Sequence, residues 1–174
     1  GWTYDIANDD IDFLSEAESV ELTFSVEIDD QQGGTVSTQV VINVAGANDA
    51  PVVTATSGTA TETETGATAT GTVTFTDVDI NDTPEVTATF KTGTEDYRAA
   101  DNSPLSLTAA QLAALTPALT ITPDAGNAND GSADWTYSVD DAAVDFLAAG
   151  ETVELTYTLT VTDDQLATDT QDIT

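Results

Sequence analysis

The feature that most limits what this chain can fold into is an internal repeat at an offset of 133 residues, read from Trp135 against Trp2. Trp2-Thr3-Tyr4 recurs as Trp135-Thr136-Tyr137, and Asp12-Phe13-Leu14 as Asp145-Phe146-Leu147. Glu18-Ser19-Val20-Glu21-Leu22-Thr23 recurs as Glu151-Thr152-Val153-Glu154-Leu155-Thr156, and the register holds to Asp30 and Asp163. A sequence repeat implies a repeated structural unit. Residues 1–49 therefore read as the C-terminal part of one unit, and residues 50–174 as a second, nearly complete one. The second copy ends at Thr174, inside the segment matching the strand around Val40-Val41-Ile42, and is expected to lack its last strand. The first copy is expected either to exchange strands with a neighbouring molecule or to pack on the whole unit.

The periodicity inside each unit is that of β-strands. Leu22, Phe24, Val26 and Ile28 alternate with polar residues, as do Tyr157, Leu159 and Val161. That is the signature of strands with one buried face. Val40, Ile42 and Val44 follow the turn Asp29 to Gly34 and predict a hairpin. Val73 and Phe75, then Val86, Ala88 and Phe90, then Leu119 and Ile121 continue the pattern. One stretch breaks it: Thr108 to Leu115 has a Thr cap, Gln three residues later, Leu at helical spacing and Pro117 beyond. Many short strands without βαβ alternation predict an all-β, antiparallel, Ig-like or cadherin-like sandwich with one short helix.

Charge then excludes whole classes of partner. The chain carries 32 Asp and Glu against Lys91 and Arg98 alone, a net charge of −30. Nucleic acids and anionic lipids need Lys and Arg to displace their counterions, so no nucleic-acid partner is expected. No apolar stretch is long enough to insert in a membrane. The absence of Cys and His removes disulfides, thiol chemistry, the commonest general base and the commonest zinc ligand. The chain reads as a fragment, so its lack of a secretory signal carries no weight. A repeated module without His or Cys is expected to be structural and not an enzyme, although chance carboxylate pairs are inevitable at this composition.

Clustering of the acids says more than their number. Two carboxylates about 4.5 Å apart repel by about 3–4 kcal/mol at an effective dielectric of roughly 20, so clustered acids imply a cation. Four stretches could hold one: Asn48-Asp49, Asp77 to Asp82, Glu16 to Glu18 with its counterpart Glu151, and Asp29-Asp30 with its counterpart Asp163-Asp164. Calcium takes six to eight oxygens from carboxylates, amides and carbonyls, which suits such pairs better than it suits magnesium. An ordinary solvated loop is the competing reading of any one pair, and halophilic solubility the competing reading of them all. Trp2 and Trp135, in equivalent Trp-x-Tyr patterns, are expected to pack in cores instead of forming a sugar platform.

The order Leu22-x-Phe24-x-Val26-x-Ile28-x-Asp30, Val40-x-Ile42-x-Val44, Asn48-Asp49-Ala50-Pro51 resembles the end of a cadherin repeat. Over its full length the chain resembles the VCBS-type repeats of giant bacterial surface adhesins of the RTX class. The motifs that carry this are Trp135-Thr136-Tyr137, Phe146-Leu147-Ala148-Ala149-Gly150-Glu151, the turn Asp29 to Gly34, and Gly46-Ala47-Asn48-Asp49-Ala50-Pro51. The resemblance implies an extracellular tandem module on a bacterial cell surface, with calcium at its joints and neighbouring repeats of the same chain as its partners. It implies a joint in which the upstream unit supplies Glu18, the linker Asn48 and Asp49, and the downstream unit Asp77, Asp79 and Asp163. Asn81 or Asp82 would serve extra sites, and Glu151, with Glu62 or Glu64, a following joint. Gly46 departs from the cadherin linker, which has an Asp there; Ala17-Glu18 departs from its acidic pair; and Leu166-Ala167 replaces Gly33-Gly34. A ligand-binding sandwich domain, for carbohydrate or protein, of the same kind of adhesin is the alternative function.

Overall fold

The computed structural model describes residues 2–174. The first unit contributes two strands, β1 (Ser19–Asp29) and β2 (Thr35–Ala45). The second contributes β3 (Val52–Ala55), β4 (Ala67–Thr76), β5 (Glu85–Phe90), β6 (Asp96–Arg98), β7 (Pro104–Leu105), β8 (Leu119–Pro123), β9 (Gly131–Val139), β10 (Thr152–Glu154), β11 (Tyr157–Thr162) and β12 (Thr168–Ile173). Two short helices, α1 (Ala109–Leu115) and α2 (Asp141–Val144), lie between β7 and β10. Every strand pair is antiparallel, in sheets ordered β1-β2, β3-β4-β9-β8, β12-β11-β5 and β10-β6-β7.

Residues 50–174 form an all-β sandwich, because the alternating residues of two sheets bury against each other. Val53, Val73, Phe75, Ala133 and Trp135 from one sheet meet Val86, Tyr157, Leu159, Val161 and Ile173 from the other. In β11 the inward positions are buried and the intervening threonines are not. Trp135 lies in a slot made of missing side chains: a Cβ on Gly71 or Gly58 would come within 2.5 or 2.4 Å of the indole. The indole Nε1 donates to Thr56 O at 3.0 Å, so the ring is buried without an unpaired donor. The helix expected from Thr108 is α1, with the full capping box between Thr108 and Gln111 and Pro117 in the helical turn that follows. Its Leu115 packs with Ala67, Val139 and Val144 in a second, smaller cluster.

The first unit is a hairpin with 11 paired residues on each strand. Val20, Leu22, Phe24, Val26 and Ile28 pair with Val44, Ile42, Val40, Thr38 and Val36, and so share one face. That face is open: Phe24, Ile28 and Val36 are 44, 58 and 61% exposed, and the ring nearest Phe24 is Tyr4, with centroids 5.9 Å apart. Among the described residues the hairpin shares no sheet with the sandwich.

Two expectations need correction here. Trp2 is 66% exposed, whereas Trp135 is buried. The groups that cover Trp135 (Thr56, Gly58 and Gly71) have no counterparts in residues 1–49. The strand expected to be lacking from the second copy is present as β12. β12 pairs with β11 in the register of the first copy, Tyr157 opposite Ile173 matching Phe24 opposite Val40.

Candidate metal centre

Four chain segments converge where β2 hands over to β3. The first is the loop Ile11 to Glu18, held to the linker by the Gly46 N–H donating to Glu18 O at 3.0 Å. A Cβ on Gly46 would lie 2.2 Å from Leu14 O and 2.5 Å from Ser15 O, so this position has no room for the Asp that a cadherin linker carries. The Glu18 carboxylate accepts the Ser15 N–H at 3.1 Å and the Asn81 amide at 2.7 Å.

The linker is the second segment. Asn48 Nδ2 donates to Asp163 Oδ2 at 2.9 Å, and the Asp49 N–H donates to Asp79 Oδ2 at 2.8 Å. Pro51, which has no N–H to satisfy, is fully buried behind them.

The third segment follows β4. Its alternation is inverted relative to a normal strand: Asp77 and Asp79 point inward while Val78 and Ile80 are 50 and 54% exposed. Asp77 Oδ1 accepts the Asp79 N–H at 3.0 Å, the Asp77 N–H donates to Asp130 Oδ1 at 3.1 Å, and Asn129 Nδ2 donates to Asp77 O at 2.6 Å. The Asp82 N–H donates to Asp79 O at 3.1 Å, which turns the chain back and carries Asp82 inward as well.

The fourth segment is the turn between β11 and β12. Asp163 Oδ1 accepts the main-chain N–H groups of Gln165 and Ala167 at 2.9 and 2.8 Å. Gln165, with its amide nitrogen turned inward, donates to Asp82 Oδ2 at 2.7 Å and to Asn48 Oδ1 at 3.0 Å, and its oxygen accepts the Ser15 hydroxyl at 2.8 Å.

The result is a buried acidic cluster. Asp77, Asp79, Asp82 and Asp163 are only 5, 0, 3 and 4% exposed. One carboxylate oxygen from each of Asp77, Asp82 and Asp163 lies within 4.8 Å of the others. Asp77 Oδ2 and Asp79 Oδ1 are buried with no hydrogen-bond partner among the described residues. No basic side chain balances them: Lys91 pairs with Asp172, and Arg98 with Asp96 at 2.7 Å. Burial pushes the Asp77 carboxyl up to about 6, aided by the charges of Asp79, Asp82 and Asp163 and opposed by the hydrogen bond from Asp79. Burial likewise raises Asp79, beside Asp49, Asp163 and Glu18, and Asp82, beside Asp79, Asp163 and Asp164. Residues arranged in this way could hold a hard cation, whose charge would offset the repulsion and whose coordination would use the orphaned oxygens.

All six residues expected from the sequence lie at this joint. Asp77, Asp79 and Asp163 form its buried centre, Asn48 and Asp49 are bonded to that centre, and Glu18 is tied to its rim through Asn81. Asp82, set apart in the sequence as a ligand for extra sites, belongs to the same cluster as Asp77 and Asp163. The sequence pattern does not mark Ser15, Gln165 or Asp130 as part of the site. The spacing Asp77-x-Asp79-x-x-Asp82 was a usable signal for Asp82, whereas Ser15 and Gln165 carry no charge to draw notice.

Of the residues expected at a following joint, Glu62 groups with Asp141 and Asp145, and Glu151 accepts the Tyr97 hydroxyl at 2.6 Å and the Ala148 N–H at 3.0 Å. The bond from Ala148 repeats, at the 133-residue offset, the bond from Ser15 to Glu18. No family model matches the chain, and no curated protein matches it.

Proposed function

We propose that this chain is a tandem extracellular spacer module of a large bacterial surface adhesin, and that calcium fixes the joint between its units. The observation that carries the reading is the buried quartet Asp77, Asp79, Asp82 and Asp163, with two oxygens unpartnered and no basic group to balance it. Burying uncompensated charge costs several kcal/mol per ion by general estimates, so the fold is under strain until a cation arrives. The donors are carboxylate and amide oxygens from four segments, which suits the six to eight oxygen ligands of calcium; magnesium prefers to keep its water.

The joint's stiffness follows from where these donors originate. Glu18 belongs to the upstream unit, Asn48 and Asp49 to the linker, and the four buried aspartates to the sandwich. With no cation bound, their mutual repulsion loosens the joint. A bound calcium supplies the missing positive charge, so that groups on both sides of the linker share one centre. No helix among the described residues is long and apolar enough to cross a membrane. Extracellular calcium modules bind with dissociation constants of roughly 10⁻⁴ to 10⁻³ M, so a joint of this kind would be filled in an extracellular setting and empty inside a cell.

Calorimetry and solution scattering test this together. Calcium at 10 mM is expected to add about 1–3 kcal/mol of stability. Magnesium at matched ionic strength should add much less, and scattering should show a narrower distribution of hairpin-to-sandwich angles in calcium. Identical melting curves and scattering profiles in chelator and in calcium would sink the proposal.

A further inference from the structure

On the reading that calcium fills this joint, we infer that Gln165 is a further ligand whose carboxamide turns over when the ion binds. Its nitrogen latches the joint without the ion, and its oxygen faces the ion once it is there. The turn between β11 and β12 fixes where this side chain starts. Asp163 Oδ1 accepts the N–H groups of Gln165 and Ala167, and the Asp163 N–H donates to Ala167 O at 3.0 Å. Of the five residues in this turn the two copies share only two: Asp30-Gln31-Gln32-Gly33-Gly34 stands against Asp163-Asp164-Gln165-Leu166-Ala167. The shared pair is the aspartate that closes the turn and the glutamine.

The far end of Gln165 touches all three parts of the joint. Its inward atom lies 2.7 and 3.2 Å from the two Asp82 carboxylate oxygens and 3.0 Å from Asn48 Oδ1, and its outward atom lies 2.8 Å from Ser15 Oγ. Ser15 belongs to the upstream loop, Asn48 to the linker and Asp82 to the sandwich. Without an ion, three oxygens around one position call for a donor, and the carboxamide nitrogen offers two N–H groups. The same position borders the candidate centre. Asp82 gives one of the three carboxylate oxygens that come within 4.8 Å of one another, with Asp77 and Asp163, and Asp77 Oδ2 and Asp79 Oδ1 have no partner. A calcium ion among those oxygens would repel N–H groups aimed at it and attract an amide oxygen.

Turning the carboxamide over exchanges its nitrogen and oxygen, which are close in size, and leaves the packing unchanged. Ser15 makes the exchange possible on the outer side. Its residue is 2% exposed, so its hydroxyl has to be satisfied within the protein. A hydroxyl donates to the amide oxygen in one orientation and accepts from the amide nitrogen in the other. Gln165 therefore ties the three segments together before calcium arrives. Afterwards it raises the number of oxygen ligands without adding a fifth charge to the four buried aspartates.

NMR of the full chain, with the Gln165 side-chain NH₂ protons assigned, reads the turnover. In chelator these protons are expected to show nuclear Overhauser contacts to Asn48 and Asp82, and in calcium at about 10 mM, contacts to Ser15 should replace them. Two substitutions read the ligand. Gln165→Glu places oxygens at both positions; it is expected to lower the melting temperature in chelator by about 2–4 °C and to tighten calcium binding about tenfold. Gln165→Met removes both polar atoms at similar length and should weaken calcium binding about tenfold. If calcium raises the melting temperature of the original chain but leaves the Gln165 contacts unchanged, the inference is overturned while the calcium reading stands. The same holds if Gln165→Glu binds calcium no more tightly than Gln165→Met. A melting curve of the original chain that ignores calcium removes both.

Discussion

Asp79 is fully buried, with one oxygen on the Asp49 amide and the other on nothing. Replacing it by Asn removes a charge from a site without a counter-charge. Asp79→Asn is therefore expected to stabilise the calcium-free protein by about 1–2 kcal/mol while abolishing most of the calcium-dependent gain. Paired thermal melts of the two proteins, with and without calcium, check both halves of that statement. The acidic cluster also sets a pH dependence whose sign is fixed. A carboxyl whose folded-state pKa is raised weakens the fold as pH rises through that value. In chelator, the melting temperature should climb as pH falls from about 7 to about 4.5, when Asp77, pushed up to about 6, takes its proton and Asp79 and Asp82 move the same way. Below about 4 the trend should reverse. There Asp30, held low by the Gln32 amide, and Asp101, held low by the Ser103 hydroxyl, lose their bonds on protonation. A melting temperature that falls steadily from pH 7 downward would count against the cluster as described. At this scale the sequence was legible where spacing encodes direction: Asp77 and Asp79 are two apart and share a face. Asp82 was harder to place, because the Asp79–Asp82 turn, and not a strand period, brings it inward.

The turn Asp30 to Gly34 and the turn Asp163 to Ala167 are the same element in two settings. In each, an aspartate Oδ1 accepts the N–H groups two and four residues on. Asp30 is exposed and Asp163 is 4% exposed, because the linker and the Ile11–Glu18 loop cover only the second. Sequence similarity between the copies revealed the turn; the difference in burial depends on a neighbour that local sequence does not name. The substitution of Gly33 by Leu166 has a visible cost, since Leu166 holds φ +71° in the left-handed region where Gly33 holds +95°. Gly46 tests the joint as an element. Gly46→Ala forces the loop carrying Glu18 away from the linker, because its Cβ would meet Leu14 O. It is expected to weaken calcium binding about tenfold or more, with a stability loss of about 1–3 kcal/mol. Isothermal titration of calcium, with the melting temperature followed in parallel, reads both. The α1 cap was fully legible, since Thr108 and Gln111 act within one turn. The slot for Trp135 was not, because it depends on Gly58 and Gly71, far away in sequence.

For the whole molecule, 30 net negative charges make the compact state sensitive to ionic strength. Sodium chloride alone is expected to stabilise the chelated protein as the screening length falls from about 30 Å at 0.01 M to about 8 Å at 0.15 M. The buried aspartates lie out of reach of that screening, so calcium should add a further increment at 0.15 M salt. A calcium effect that disappears there would leave only general charge screening. The sandwich itself was legible because period-two alternation recurs strand after strand. How the two units meet followed from the 133-residue repeat only as far as naming the linker. The architecture also has a mechanical reading. The chain enters the sandwich at Pro51, and β3 runs from there beside β12, which ends at Ile173, next to Thr174, on the far side. The Val53 N–H to Asp169 Oδ2 bond at 3.0 Å and the two bonds between Thr174 and Ser57-Gly58 stitch that seam. A pull between Pro51 and Thr174 drags these neighbouring strands in opposite directions along their length. The stitches are then loaded together in shear instead of being peeled apart one after another.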